Sequence, residues 1–158
     1  MTDIESAVDM FRSGCACSQA ILVIYCEHYG LDPDLALKLT AGFGGGMRPG
    51  ETCGAVTGAF MLLGLTLSVD DCYSDAGHDK INTLIREFAA RFVQSRGSIS
   101  CRDLLGCDVS TPTGLKEAED RNLSQTICAG LVRDAAGILE NLLADTETSA
   151  TTGSMSAG

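Results

Sequence analysis

Apolar residues recur along much of the chain at the three- and four-residue spacing of amphipathic helices. The clearest stripe comprises Ile81, Leu84, Ile85, Phe88 and Phe92. A second stripe runs from Ile4 to Phe11, and its pattern stops near Ser13–Gly14. Positions i, i+3, i+4 and i+7 share one face of a helix, so both segments are predicted to be helices that pack on a core.

Capping residues mark further helices between these stripes. Residues 17–29 are apolar on nearly every side, which is typical of a buried helix, and Gly30 is placed to end it. Pro33 opens a third predicted helix that runs to about residue 41. Thr52 is the predicted N-cap of a helix from residue 53 to about residue 67.

The C-terminal third of the chain is predicted to contain a short turn and one long helix. The turn runs from Cys101 to Leu105, and residues 111–114 are predicted to form a loop. Apolar residues from Ile127 to Leu142 recur at helical spacing and predict the last helix. The residues from Thr146 onwards are small and polar, and are predicted to be disordered.

These signals together define the expected fold class. No stretch sustains the period-two alternation of a half-buried strand. The pattern therefore predicts an all-α fold, with a single compact domain of about six or seven helices and a glycine-rich loop before a central helix. The predicted helical domain spans residues 1–145, and residues 146–158 are predicted to be a flexible polar tail.

Charge and hydropathy limit the cellular environments and binding partners that the sequence allows. The chain of 158 residues has a formal net charge of −10. A face that binds nucleic acid or an anionic membrane would need clustered Lys and Arg, and the sequence has no such cluster. The longest apolar run, residues 55–67, is shorter than the roughly 20 residues of a membrane-spanning helix. The N-terminus lacks the basic and apolar regions of a secretory signal. We therefore predict a cytoplasmic protein that binds no nucleic acid and does not insert into membranes.

The eight cysteines are the most informative feature of the composition. The cytosol keeps thiols reduced, so metal ligation or redox chemistry is favoured over a disulfide framework. No C-x-x-C pair occurs, which excludes the knuckles of a zinc ribbon and the thioredoxin motif.

Four of the cysteines fall at or near the starts of predicted helices or turns: Cys17, Cys53, Cys101 and Cys128. Unsatisfied backbone N–H groups at such positions carry partial positive charge, so they stabilise a thiolate or an anionic metal cluster. Cys53 fits this description best, and its pKa is expected to be lowered. Four such residues spread along the chain predict a site that is assembled by folding.

The segment 42–58, GFGGGMRPGETCGAVTG, places a glycine-rich loop directly before Cys53. It has no phosphate-loop lysine and follows a helix, so neither a phosphate loop nor a dinucleotide fingerprint is predicted. Glycines instead let backbone N–H groups approach a bound group closely. The predicted cofactor-binding residues are Gly44, Gly45, Gly46 and Gly54. The spacing of Gly54 and Gly58 predicts that another backbone packs closely against this helix.

The remaining cysteines have weaker signals. Cys15 and Cys107 are each interpreted as a spare ligand, a resolving thiol or filler. Cys26 points to the opposite side of its helix from Cys17 and is predicted to lie in the core. Cys72 lies in a polar loop and is assigned no role.

These motifs resemble those of the C-GCAxxG-C-C family of redox-active proteins, over about residues 11–144. The family's CGAxxG signature is found here at residues 53–58 and contains Cys53. Its G-x-x-C-[AS]-Q-[AS] stretch points to Cys17, its C-x-x-L-L-G-x-D stretch points to Cys101, and its last cysteine corresponds to Cys128. The resemblance implies a redox or metal role for these four residues and names no reaction. This chain departs from the pattern by carrying four further cysteines.

Two main classes of function remain open at this point. In the first, Cys17, Cys53, Cys101 and Cys128 hold an iron–sulfur or related thiolate-metal cluster that transfers electrons. Its partner would be another redox protein, or a cofactor held by a second subunit, which leaves a homodimer open. In the second, a metal-free thiol protein uses a low-pKa Cys53 as nucleophile and another of the four as resolving thiol. A zinc or soft-metal binding module is the third hypothesis.

Overall fold

A computed structural model describes the backbone of residues 1–153 and the side chains of residues 1–146. Eight α-helices lie in the described backbone: α1 (Asp3–Arg12), α2 (Cys17–Tyr25), α3 (Pro33–Thr40), α4 (Gly54–Leu65), α5 (Asp75–Arg96), α6 (Cys101–Leu105), α7 (Pro112–Asp120) and α8 (Ala129–Gly153). No strand occurs in this part of the chain, where one isolated bridge pairs Thr52 with Ser100. The prediction of an all-α fold is confirmed.

The ends of the helices follow the capping residues in most places. Asp32 accepts a hydrogen bond from the Leu35 N–H at 2.9 Å at the start of α3, next to Pro33 in the first helical turn. α2 tightens into a 3-10 turn over Cys26–Tyr29, and Gly30 ends it in the left-handed conformation with φ 75°. The predicted limits of the first three helices therefore agree with the structure to within a few residues.

Two local predictions were wrong. Residues 111–114 do not form a loop: Thr111 caps α7 by accepting a hydrogen bond from the Gly114 N–H at 3.0 Å, and Pro112 occupies the first turn. Thr52 does not cap α4, because its backbone pairs with Ser100 and the N-cap position falls to Cys53. A sequence pattern shows a local cap but not a contact with a residue far along the chain.

The main core lies where α2, α4, α5 and α8 meet. Its largest fully buried side chains include Phe88 and Phe92 of α5, whose rings stack with centroids 6.2 Å apart. Cys26 belongs to this core, and its thiol donates a hydrogen bond to the Val23 carbonyl at 3.3 Å. The predicted core position of Cys26 is confirmed.

Gly54 and Gly58 let α4 approach α2 more closely than any larger residue would allow. A Cβ atom at position 58 would lie 2.8 Å from the Ser18 carbonyl oxygen and 3.1 Å from the Ile21 Cβ. The close backbone contact predicted from the spacing of these glycines is therefore present. It fixes the start of α4 beside the start of α2.

We expect the Gly58→Val substitution to lower the free energy of unfolding by about 1–3 kcal/mol, because the added side chain forces α4 away from Ser18 and Ile21. Urea denaturation of the metal-free protein measures the loss. The matched control is Gly64→Val in the same helix, where an added Cβ has no neighbour within 4 Å. Equal stability of the two variants would show that the close contact is unimportant.

A second, smaller apolar cluster lies beside the main core. It consists of Cys101 and Leu105 of α6 with Cys107 and Leu123, and Cys128 packs against it. The segment from α6 to α7 thus has its own buried side chains. The boundary between the two clusters is where the site described below is found.

The C-terminal helix α8 continues to Gly153, past the domain limit predicted at residue 145. Residues 154–158 of the predicted tail lie outside the described residues, and the division of the chain at residue 145 stays a prediction. None of the helices in the described chain combines the length and the apolar character needed to cross a bilayer.

Candidate functional site

A short backbone pairing places two cysteines side by side. The Cys53 N–H donates to the Ile99 carbonyl at 2.8 Å, and the Cys101 N–H donates to the Glu51 carbonyl at 2.6 Å. These two hydrogen bonds flank the bridge between residues 52 and 100. Cys53, the N-cap of α4, and Cys101, the first residue of α6, are 48 positions apart along the chain, and this pairing holds their segments together.

The close packing of α2 on α4 adds the third cysteine. A Cβ atom at Gly54 would lie 3.2 Å from the Cys17 Cβ, so Cys17 lies directly beside the residue that follows Cys53. Cys17 is the first residue of α2, whose start is fixed by Gln19: its side chain accepts from the Ala16 N–H at 2.8 Å and donates to the Leu37 carbonyl at 2.9 Å.

The fourth cysteine arrives from the start of the last helix. Cys128 ends a π-helical turn, Ser124–Cys128, that leads into α8. The Cys17 and Cys128 thiols interact, and each shifts the pKa of the other. Four elements that are distant in sequence therefore bring Cys17, Cys53, Cys101 and Cys128 to the wall of one cavity of about 540 Å³.

The rest of the cavity wall is mainly apolar. Side chains from both apolar clusters contribute to it, namely Phe11, Leu105, Val109, Ala118, Leu123 and Leu131, and the exposed Leu115 lies at its edge. Among the described residues, the charged side chains that line it are Arg48 and Glu119. The thiols thus share a largely apolar wall with the polar or charged side chains of Gln19, Arg48, Glu119 and Ser124.

The glycine-rich loop covers one side of the site. Gly44, Gly45 and Gly54 line the cavity, whereas Gly46 packs behind Cys101, where a Cβ atom would lie 2.8 Å from the Cys101 Cβ. Five of the six residues from Gly45 to Gly50 have positive φ, including the non-glycine residues Met47 and Arg48. A left-handed conformation costs about 1–3 kcal/mol at each non-glycine position and is found mostly at functional sites.

With these features in place, the chain can be compared with known proteins. Residues 15–142 match the sequence profile of a family described as "Putative redox-active protein (C_GCAxxG_C_C)". The chain belongs to the C_GCAxxG_C_C family. The matched region includes all four cysteines of the cavity, and the family resemblance predicted from the motifs is confirmed. No curated protein and no solved structure matches the chain.

Burial dominates the electrostatics of this C_GCAxxG_C_C site. Burial raises the pKa of Cys53 to about 11, although the backbone N–H groups of Ala55 and Val56 favour its thiolate. Burial, together with the charges of Cys53 and Cys128, raises the pKa of Cys101 to about 12. The expected lowering of the Cys53 pKa at a helix start is therefore wrong, because removal of the thiol from water outweighs the helix N-terminus.

The pair of Cys17 and Cys128 behaves differently. The interaction with the Cys128 thiol raises the pKa of Cys17 well above its usual value, and burial acts in the same direction. The same interaction lowers the pKa of Cys128. In the metal-free protein, Cys128 is thus the thiol of the four with the most thiolate character.

The other four cysteines occupy contrasting places. Cys15 is partly buried and lines the same cavity, a position that its spacing alone did not reveal. Cys107 is buried behind the cavity in the smaller cluster, and burial raises its pKa. Cys72 is exposed and is not among the residues that line the cavity, and its thiol donates to the Ser68 carbonyl at 3.5 Å.

The chemistry of the four sulfur donors suits an iron–sulfur cluster, whereas their arrangement in the structure does not form a site for a single metal ion. Four cysteines are the ligand set of the common iron–sulfur clusters, so the chemistry of the donors fits such a group. Within the described residues, however, no three or more His, Cys, Asp or Glu side chains are arranged to hold a single metal ion. The roles predicted for the four cysteines and four glycines remain predictions.

Proposed function

We propose that the protein is a redox protein that binds an iron–sulfur cluster, or a related thiolate-metal cluster, through Cys17, Cys53, Cys101 and Cys128. When bound, such a cluster supplies one-electron transfer. The observation that carries the proposal is the convergence of these four thiols in one cavity from four separate elements. Membership of a family described as redox-active supports the same class of function.

The charge balance of the cavity favours a cationic metal centre. Four thiolates in one place repel one another, and the mutual repulsion contributes to the raised pKa values of Cys17 and Cys101. Arg48 is the basic side chain that lines the cavity in the described part of the chain, and one guanidinium cannot balance four charges. Coordinated metal deprotonates a thiol outright, so a metal centre removes this conflict.

The geometry also favours a group larger than one ion. The four thiols surround a cavity of about 540 Å³, and the described side chains form no site for a single ion. A zinc module would be expected to show four ligands already close to a tetrahedron. A multi-metal cluster instead draws its thiolate ligands from around a larger volume.

The protein's own residues would shape the properties of the bound group. Cys53 and Cys101 are only 3% and 7% exposed, so water is excluded from the deep side of the site. The N–H groups of Ala55 and Val56 favour negative charge on the Cys53 sulfur. Hydrogen bonds to sulfur and exposure to solvent both tune reduction potential. Electrons would pass to another redox protein, or to a cofactor in a second copy of the chain.

Anaerobic reconstitution with iron and sulfide tests the proposal. We expect a brown protein with charge-transfer absorbance and with iron and acid-labile sulfide in proportion. Cys53→Ser and Cys101→Ser should each lower the iron content at least about tenfold, because each removes a ligand. The control, Cys72→Ser, should load like the unmodified chain. A colourless wild-type protein after reconstitution would contradict the proposal.

A metal-free thiol reaction is the second candidate, and the opposite pKa shifts of the interacting Cys17 and Cys128 thiols favour it. The nucleophile would then be Cys128, not Cys53 as the sequence suggested, since the pKa of Cys53 is raised. This candidate predicts a colourless anaerobic protein that forms a Cys17–Cys128 disulfide on treatment with a disulfide oxidant. Peptide mapping by mass spectrometry would detect that bond.

A further inference from the structure

The connection between α1 and α2 brings two thiols to the cavity, of which only one belongs to the set of four. Cys15 and Cys17 both line the cavity, and both are partly buried. Ala16 between them is extended, with φ −67° and ψ 155°. Cys15 therefore lies outside α2, and the segment nevertheless places both cysteines at the wall of one cavity.

The surrounding contacts hold this segment against the site. The Ala16 N–H is fixed by Gln19, and a Cβ atom at Gly44 would lie 2.7 Å from the Ala16 Cβ, so the segment packs on the glycine-rich loop. Cys15 itself precedes α2 and is not part of a helix. Cys15 can therefore move towards the coordination position of Cys17 without unwinding α2.

We propose that Cys15 is a fifth metal-ligating thiol of this cavity, able to take the coordination position of Cys17. The inference rests on the proposed function, because it concerns ligation of the same thiolate-bound cluster. In this proposal, either Cys15 or Cys17 occupies one coordination position, whereas Cys53 and Cys101 have no second cavity-lining cysteine on their own segments. Either of these two thiols would then replace the other as a ligand of the bound group.

The remaining cysteines do not share these properties. Cys107 lies behind the cavity wall, and Cys26 is fully buried in the main core. Cys72 is exposed and distant, and its side chain lines none of the cavity wall in the described chain. Cys72 therefore serves as a matched control for the loss of one thiol at no cost to the site.

The test compares iron and sulfide content and the absorption spectrum after anaerobic reconstitution. Cys15→Ser should load like wild type, and Cys17→Ser should retain most of its iron with a shifted charge-transfer band. The double variant Cys15→Ser/Cys17→Ser should hold at least about tenfold less iron than Cys17→Ser/Cys72→Ser, which has the same number of thiols. Circular dichroism of each metal-free variant shows that the helices are intact.

The outcomes separate this inference from the proposed function. If wild type loads a cluster but Cys17→Ser loads none, Cys15 is not an alternative ligand and the inference is overturned. It is overturned equally if the two double variants load the same amount of iron. If wild type itself loads nothing, the proposed function fails and the inference fails with it.

Discussion

Raising the pH from about 9 to 12 is expected to destabilise the metal-free protein strongly. Cys53 and Cys101 have folded-state pKa values of about 11 and about 12, above the ordinary value of 9.0. Between pH 9 and these values the unfolded chain has lost protons that the folded chain retains, so the free energy of unfolding falls as pH rises. The contribution of each thiol is complete below pH 9 and is lost as pH passes its folded pKa.

The magnitude for Cys53 is about 2–3 kcal/mol, since one pKa unit corresponds to about 1.4 kcal/mol. Cys101 acts in the same pH window with the same sign. Cys128, whose pKa is lowered, acts with the opposite sign and adds stability as pH rises towards 9. The stability contributed by these thiols therefore passes through a maximum near pH 9.

Urea denaturation at a series of pH values, under anaerobic reducing conditions, measures this effect. Lysines and tyrosines titrate in the same range, so the informative quantity is the difference between variants. Cys53→Ala should show a smaller fall above pH 9 than wild type, whereas Cys72→Ser should keep the wild-type profile. Identical pH profiles for Cys53→Ala and wild type would show that the Cys53 thiol is not held protonated by burial.

The same pKa values link metal loading to pH. Thiols that are protonated near neutral pH must lose their protons when they become ligands, so loading releases protons and is favoured by higher pH. The positive charge of the bound metal then neutralises the four sulfurs, as the protons do in the metal-free protein. The alkaline instability and the affinity for a cationic centre have the same physical origin.

The helical fold was largely predictable because its signals are local. Each signal predicts a helix, or the start or end of one, from residues within a few positions of it. The structure agrees for the apolar stripes and for the helix boundaries at Gly30 and Pro33. Helix α7 was missed although Thr111 and Pro112 form a normal helix start, because its nine residues supply a stripe of only Leu115 and Ala118. The mistaken cap at Thr52 has another cause: its partner, Ser100, is distant in sequence.

The convergence of the four cysteines was predictable, but their electrostatics was not. Helix-start positions and the family resemblance selected Cys17, Cys53, Cys101 and Cys128, and the fold brings these four to one cavity. The direction of the Cys53 pKa shift was missed, because the degree of burial depends on packing between elements. The place of Cys15 was missed for the same reason.

Gly46 joins the glycine-rich loop to the site. Its φ is +65°, and a Cβ atom there would lie 2.5 Å from the Glu51 nitrogen and 2.8 Å from the Cys101 Cβ. Glu51 also accepts the hydrogen bond from the Cys101 N–H. A side chain at position 46 would therefore push apart the contacts that hold Cys101 beside Cys53.

We expect Gly46→Val to lower the free energy of unfolding by about 2–6 kcal/mol, because overpacking and a β-branched residue at positive φ both contribute. Urea denaturation measures this loss, and iron content after reconstitution should fall several-fold because Cys101 is displaced. Gly42→Val is the matched control in the same loop, since an added Cβ there meets no atom within 4 Å. If both variants were equally stable and loaded equal iron, Gly46 would be a spacer, and the conformation of the loop would not govern the position of Cys101.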